Sequence, residues 1–175
     1  MEKWVNCGKI MAATCVISDL SDFLGAVRTI SESLGTHIIC FDAEKLAGVA
    51  HARMAVAHAA RAWASKSPIA KTFEMEALLY AAGSRQTSLG SSFGVHIGRN
   101  NIYVCSFPFR EGIWENLSPL MDFFKENDPW GIIDSEKESA LMRLFDITPL
   151  ELSTLMEETV QDLVLERVAL LEVSR

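Results

Sequence analysis

The feature that most restricts how this chain can fold is an apolar run that ends at a single glycine. The run extends from Glu76 to Ala82, and Gly83 and the pair Arg85-Gln86 follow it. Such a run must be buried, and glycine permits backbone angles that other residues avoid, so the chain can leave the core at a fixed place. Arginine and glutamine carry the donors and acceptors that suit phosphates and base edges. The string therefore predicts a buried element that presents two polar side chains, and it raises the question of RNA binding.

The composition is typical of one soluble globular domain. The chain has 175 residues, of which 49% are hydrophobic and 22% charged, which is enough for one full core and short for two. No apolar stretch is long enough to span a bilayer, and polar residues interrupt the N-terminus too early for a secretory signal. We therefore expect a single domain over residues 1–175, located in the cytoplasm, with no membrane contact.

The net charge of −7 hides a basic region. Residues 1–100 contain ten basic and eight acidic residues, whereas residues 101–175 contain six basic and fifteen acidic residues. No acid occurs between Glu44 and Glu74, a segment that contains two arginines, three lysines and two histidines. Charge asymmetry of this kind indicates an anionic partner.

Periodicity and turn signals predict a mixed α+β (α/β) fold, with a small mixed central sheet layered with helices and a helical C-terminal third. Residues 73–82 are ambiguous by length and periodicity, and the glycine turn that follows favours a strand. A capping box at Thr148 and Glu151 predicts one long helix from Pro149 to about Val173. The predicted strands cover 9–17, 36–41, 73–82 and 101–107, and the other predicted helices cover 18–35, 46–65, 86–93, 113–126 and 135–145.

The second half of that terminal helix, from Leu163 to Val173, is apolar in nearly every direction. A helix of this kind must be covered on all sides. In a small domain, this pattern indicates that the fold covers one face and a partner protein covers the other.

Motifs for metal, cofactor or catalytic chemistry are missing. The cysteines lack a C-x-x-C spacing and lie in or beside apolar runs, which predicts buried, reduced thiols at Cys7, Cys15, Cys40 and Cys105. His51 and His58 share one helix face without further zinc ligands, and they either lie at the polar edge of a packed helix or extend a basic face with Arg61. Carboxylate pairs and cysteine–histidine pairs form no convincing catalytic set.

Two lysines bracket Pro68 in the connection before the apolar run. Lys66 and Lys71 are either simply solvated or contact RNA together with Arg85 and Gln86. Tyr80 packs in the core or, if exposed at the rim, stacks on an unpaired base.

Several stretches together resemble the small kinase-binding subunit of the archaeal and eukaryotic KEOPS complex. The resemblance covers essentially the whole chain and rests on Ala62-Trp63, Lys66-Ser-Pro-Ile-Ala70, Glu76-Ala-Leu-Leu-Tyr-Ala-Ala-Gly-Ser-Arg-Gln86, Phe93-Gly94 and Leu163-Val-Leu-Glu-Arg-Val-Ala-Leu-Leu171. It implies a non-catalytic subunit of a complex that transfers threonylcarbamoyl to the adenosine beside the anticodon of ANN-decoding tRNAs. In the family, this subunit docks on the N-lobe of an atypical kinase, and archaeal members bind the single-stranded 3′ CCA end of tRNA.

The resemblance also assigns roles to residues of this chain. The basic region implies tRNA contacts at His58, Arg61, Lys66, Lys71, Arg85 and Gln86, and the terminal helix implies kinase contacts at Leu163, Arg167, Leu170 and Leu171. No cofactor, metal or small-molecule substrate is expected. Two alternatives remain: a stand-alone small enzyme with a cleft near Gly83, and a structural adaptor that binds the kinase but no RNA.

Overall fold

The computed structural model describes residues 8–154 and 156–174, so the prediction for Cys7 lies outside the described residues. Within these residues, four strands form one sheet in the order β2-β3-β1-β4, and every neighbouring pair is antiparallel. The α+β fold class and the single domain with helices layered on a sheet are as predicted, but the sheet is antiparallel throughout rather than mixed. The strands are β1 (Lys9–Ile17), β2 (His37–Asp42), β3 (Gly98–Phe107) and β4 (Asp122–Phe124).

Helices cover both faces of the sheet. Asp19 caps the first helix by accepting the N–H of Asp22 at 2.8 Å, and Gly35 ends it in the left-handed region with a φ of 62°. The helices are α1 (Leu20–Leu34), α2 (Val49–Ala64), α3 (Phe73–Ala82), α4 (Thr87–Ser91), α5 (Ile113–Leu117), α6 (Ser135–Leu144), α7 (Pro149–Thr154) and α8 (Val160–Val173).

Two apolar cores lie on opposite faces of the sheet. The larger core packs α2, α3 and α8 on the sheet face that carries Phe41 and Tyr103. The smaller core packs α1 and α5 on the face that carries Ile102 and Val104. The alternation of side chains along each strand produces this division, because successive residues point to opposite faces.

Three predicted elements were wrong. Residues 73–82 form a helix rather than a strand, with Thr72 as its N-cap. The predicted helix over 113–126 is a short helix followed by the edge strand β4. The predicted long terminal helix is two helices, and α8 begins anew at a capping box formed by Thr159 and Asp162.

The three described cysteines are free thiols inside the fold. Burial raises the pKa of Cys15 to about 11 and the pKa of Cys105 to about 12, so both are protonated at neutral pH. The prediction of buried, reduced thiols is confirmed for these two, whereas Cys40 is a free thiol that is only half-buried. Among the described residues, no helix has the length and apolar character needed to cross a membrane.

Candidate functional site

A buried carboxylate holds the connection between α2 and α3, which carries two of the predicted tRNA contacts. Oε2 of Glu76, a fully buried residue of α3, accepts the backbone N–H of Ile69 at 2.9 Å and that of Ala70 at 2.7 Å. The chain enters this connection through Lys66, whose φ of 56° lies in the left-handed region. Lys66 and Lys71 are exposed on this connection. We call it, residues 65–72, the pinned loop, because the buried Glu76 carboxylate binds its backbone.

The middle of α2 is joined to the end of α8 by a histidine and a carboxylate. Nδ1 of the buried His58 donates to Oε2 of Glu172 at 2.5 Å, and the His58 ring stacks on Tyr80 with 5.1 Å between centroids. Nη2 of Arg61 lies 3.4 Å from the same carboxylate oxygen. Tyr80 is fully buried, so it packs in the core and does not stack on a base at the rim.

Gly83 ends α3 and brings the chain against α8. Its φ is 59°, and a Cβ at this position would lie 3.3 Å from the carbonyl oxygen of Arg167. Two residues later, Nη1 of Arg85 donates to the carbonyl of Ser174 at 3.2 Å, just after the end of α8. Arg85 and Gln86 are both exposed, as the glycine turn predicted.

The six predicted tRNA-binding residues therefore fall into two groups. Arg61, Arg85 and Gln86 lie around the end of α8, where Arg61 is half-exposed and paired with Glu172. Lys66 and Lys71 lie on the pinned loop before α3, so the length of this ten-residue helix, about 15 Å, separates them from Arg85 and Gln86. His58 is buried beneath the first group and orients Glu172 rather than facing solvent.

His51 does not extend a basic face. It is fully buried, its Nδ1 accepts the N–H of Ala47 at 3.0 Å, and its Nε2 donates to the carbonyl of Ala81 at 2.8 Å. Burial lowers the pKa of His51 to about 4, although the hydrogen bond to Ala81 opposes this shift. The imidazole is neutral at physiological pH and ties the start of α2 to the end of α3.

The terminal helix presents only part of its predicted partner-binding set. Leu163 and Leu171 are buried in the core, so they are available to the fold and not to a partner. Leu170 is 48% exposed and Val173, which the prediction omitted, is 82% exposed. Nη2 of Arg167 donates to Oε1 of Glu151 on α7 at 2.7 Å, which fixes the guanidinium at the edge of this surface.

The residues considered for catalysis have structural partners or are inaccessible. The Cys105 thiol is buried and protonated, as described above, and the Glu76 carboxylate binds two backbone amides. Burial alone would raise the pKa of Glu74, but the hydrogen bond from His37, together with a backbone hydrogen bond and the nearby positive charges, outweighs burial and lowers the pKa. No group of three His, Cys, Asp or Glu side chains that could hold a metal ion occurs in the described part of the chain.

An apolar groove of about 890 Å³ adjoins the pinned loop. It lies between α1, β2 and the start of α3, with Leu24, Met75 and Leu78 on its walls and Arg28 and Lys71 at its rim. Sequence reasoning did not find this groove, because it forms between elements that are distant along the chain.

Two structural residues that organise the site were also missed. Glu76 could have been noticed as the acid that begins the apolar run, one helical turn after Thr72. The role of Glu172 depends on the packing of α8 on α2, which no local pattern reveals. In comparisons with known proteins, neither a protein-family model nor a curated protein matched this chain.

Proposed function

We propose that this protein is a non-catalytic, cytoplasmic subunit of a KEOPS-type complex. In this role it binds the atypical kinase of the complex and recruits tRNA by the single-stranded 3′ CCA end. It thereby supports threonylcarbamoyladenosine modification of ANN-decoding tRNAs, without a cofactor or a small-molecule substrate of its own. The observation that carries the proposal is the junction at the end of α8, where a helix with exposed apolar side chains meets the exposed pair Arg85-Gln86.

The tRNA part is supported by where the positive charge lies. Lys66, Lys71 and Arg85 are exposed, and the segment from Lys45 to Phe73 contains no acid. Lysine and arginine at such positions contact phosphates, while the Gln86 amide can both donate to and accept from a base edge. The neighbouring apolar groove, with Lys71 at its rim, offers space for an unpaired base.

The kinase part is supported by the division of α8 into two faces. The face with Leu163, Val168 and Leu171 is covered by the fold. The opposite face leaves Leu170 and Val173 in solvent. Exposed apolar residues that cluster on one helix are characteristic of a protein–protein contact.

The kinase contact is tested by mixing the protein with its cognate atypical kinase and following co-elution by size-exclusion chromatography. Leu170→Glu should abolish the complex, because a charge would be buried at the contact. The matched control is Leu144→Glu on α6, where the side chain is 42% exposed. Loss of the complex in the control but not in Leu170→Glu would refute the docking face.

The adaptor alternative predicts the same kinase complex but no affinity for tRNA. It is separated from the proposal by direct tRNA binding rather than by co-elution.

A further inference from the structure

A second surface, apart from those discussed above, gathers three cations around one cavity. The cavity has a volume of about 430 Å³ and lies where the N-terminal half of β1 meets β3 and α2. Lys9, Arg53 and Lys125 are the charged residues that line it, and all three are exposed. No acidic residue lines the cavity among those the structure describes.

The three cations lack acidic partners within the described ranges. None of the ion pairs found there includes Lys9, Arg53 or Lys125. The Lys9 ammonium lies 4.1 Å from the ring centroid of Phe109, which orients it without neutralising it. Like charges that line one cavity repel each other, and a bound anion would relieve that repulsion.

The backbone adds a donor to the cavity. In an antiparallel sheet, successive residues direct their N–H and C=O to opposite neighbouring strands. The N–H of Asp42 on β2 donates to the carbonyl of Phe93 and so points away from β3. This one direction determines which residues of each strand point their N–H and C=O toward which neighbour. The backbone N–H and C=O of Cys105 therefore point toward β2. Ile10 is opposite Cys105 on β1, so the backbone N–H and C=O of Ile10 point toward the β4 side.

On that side, no strand within residues 8–154 and 156–174 pairs with Ile10. The described part of β4 ends at Phe124, which is opposite Ala12 on β1. Ile10 itself lines the cavity, and the described residues provide no backbone acceptor for its N–H on this side, so we count this N–H as a donor to the cavity.

We propose that this cavity binds a ligand with two or more phosphate groups, held by Lys9, Arg53 and Lys125. The guanidinium of Arg53 offers a planar fork that matches phosphate oxygens, and the two ammonium groups supply further charge. Val56 and Trp114 give the cavity an apolar wall, and its volume lies in the range of small-molecule sites, about 300 to 1,000 Å³. The phosphates belong either to a free polyphosphate or to successive nucleotides of an RNA strand. The cavity is a separate site from the one in the proposed function, because none of these residues was assigned to tRNA.

The test is a titration of the intact protein with sodium pyrophosphate and, separately, with a short single-stranded oligoribonucleotide. Binding is followed by isothermal titration calorimetry and by the NMR shift of the Ile10 amide. The double variant Arg53→Gln/Lys125→Gln should weaken binding by about a hundredfold, roughly tenfold for each lost charge-assisted hydrogen bond. The side chains are exposed, so the variant should fold, which thermal denaturation checks.

The matched control is Arg99→Gln, an exposed residue of β3 opposite Val16 and thus at the far end of β1 from Lys9. It should bind both probes as the unchanged protein does. Loss of pyrophosphate binding in the double variant identifies a free polyphosphate as a ligand, and loss of oligoribonucleotide binding alone identifies RNA. Failure of both probes to bind at up to about 10 mM, near the weak end of measurable affinity, overturns the proposal. So does equal affinity in the double variant, or an equal loss in Arg99→Gln.

Discussion

His58 on α2 donates a hydrogen bond to Glu172 on α8 at 2.5 Å, and this contact joins the two surfaces that the proposed function requires. Arg61 pairs with the same Glu172 carboxylate. Two residues further along, the carbonyl of Ser174 accepts a hydrogen bond from Arg85. Two of the residues proposed for tRNA, Arg61 and Arg85, therefore lie directly against the helix proposed for the kinase. If the proposed function is correct, the kinase and the tRNA end meet at the end of α8.

Removal of the Glu172 carboxylate should loosen this junction. Glu172→Ala should lower the free energy of unfolding by about 1 to 2 kcal/mol, because the buried His58 loses an acceptor while solvent screens part of the effect. Urea denaturation measures the change. Glu166→Ala, at an exposed position of the same helix, should change it by less than about 0.5 kcal/mol. Equal effects of the two substitutions would contradict the role given to Glu172.

The pinned loop should open when its buried acceptor is removed. Glu76→Ala deprives the N–H groups of Ile69 and Ala70 of their acceptor, which should cost about 2 to 4 kcal/mol. Limited trypsin digestion should then cleave faster after Lys66 and Lys71. Glu74→Ala, which removes a partly exposed pair with His37, is the control and should leave cleavage unchanged. Unaltered cleavage in Glu76→Ala would show that the carboxylate does not hold the loop.

His51 should make the fold sensitive to acid. Its pKa is lowered to about 4 in the folded chain, against an ordinary value of 6.5. Between these values the unfolded chain binds a proton and the folded chain does not, so stability falls as the pH is lowered through this window. Across this window the free energy of unfolding falls by about 3 kcal/mol.

The comparison with His51→Gln isolates this effect from other titrating groups. The variant should be less stable at pH 7, and its deficit should shrink by about 3 kcal/mol as the pH falls to 4. Chemical denaturation at several pH values gives both quantities. A deficit that stays constant across the window would mean that His51 does not carry the pH dependence.

Gly83 and Gly25 should respond to alanine in opposite directions. Gly83→Ala places a side chain in the left-handed region and against the carbonyl of Arg167, and should destabilise by about 1 to 3 kcal/mol. Gly25 lies exposed in α1 with no atom within 4 Å of a new Cβ, so Gly25→Ala should stabilise by about 0.5 to 1 kcal/mol. Thermal denaturation measures both changes in stability. A neutral Gly83→Ala would mean that the approach of α3 to α8 is not tight.

The elements with a clear hydrophobic periodicity were predictable from the sequence, but the buried helix α3 was not. Most of α3 is buried, including Phe73, Ala77 and Tyr80, so no polar face marks a helical period. Two local signals were present. Thr72 accepts the N–H of Met75 as an N-cap, and Gly83 is a left-handed C-cap. The glycine was interpreted as a turn after a strand, although helices commonly end in the same way.

The candidate site was predictable only where it is local along the chain. Gly83 correctly placed Arg85 and Gln86 at the surface, because a left-handed glycine turn is a local property. The burial of His58 and the inward direction of Leu171 depend on how α8 packs on α2. Those contacts join residues more than a hundred positions apart, and no spacing rule reaches across them.

The most direct test of the proposed function is the affinity of the protein for a cognate ANN-decoding tRNA with and without its terminal CCA, measured by fluorescence anisotropy. Deletion of CCA should remove most of the binding, and Arg85→Glu should weaken binding to the intact tRNA by about tenfold or more. Equal affinity for the two tRNAs, together with an unchanged affinity of Arg85→Glu, would contradict tRNA recruitment through this surface.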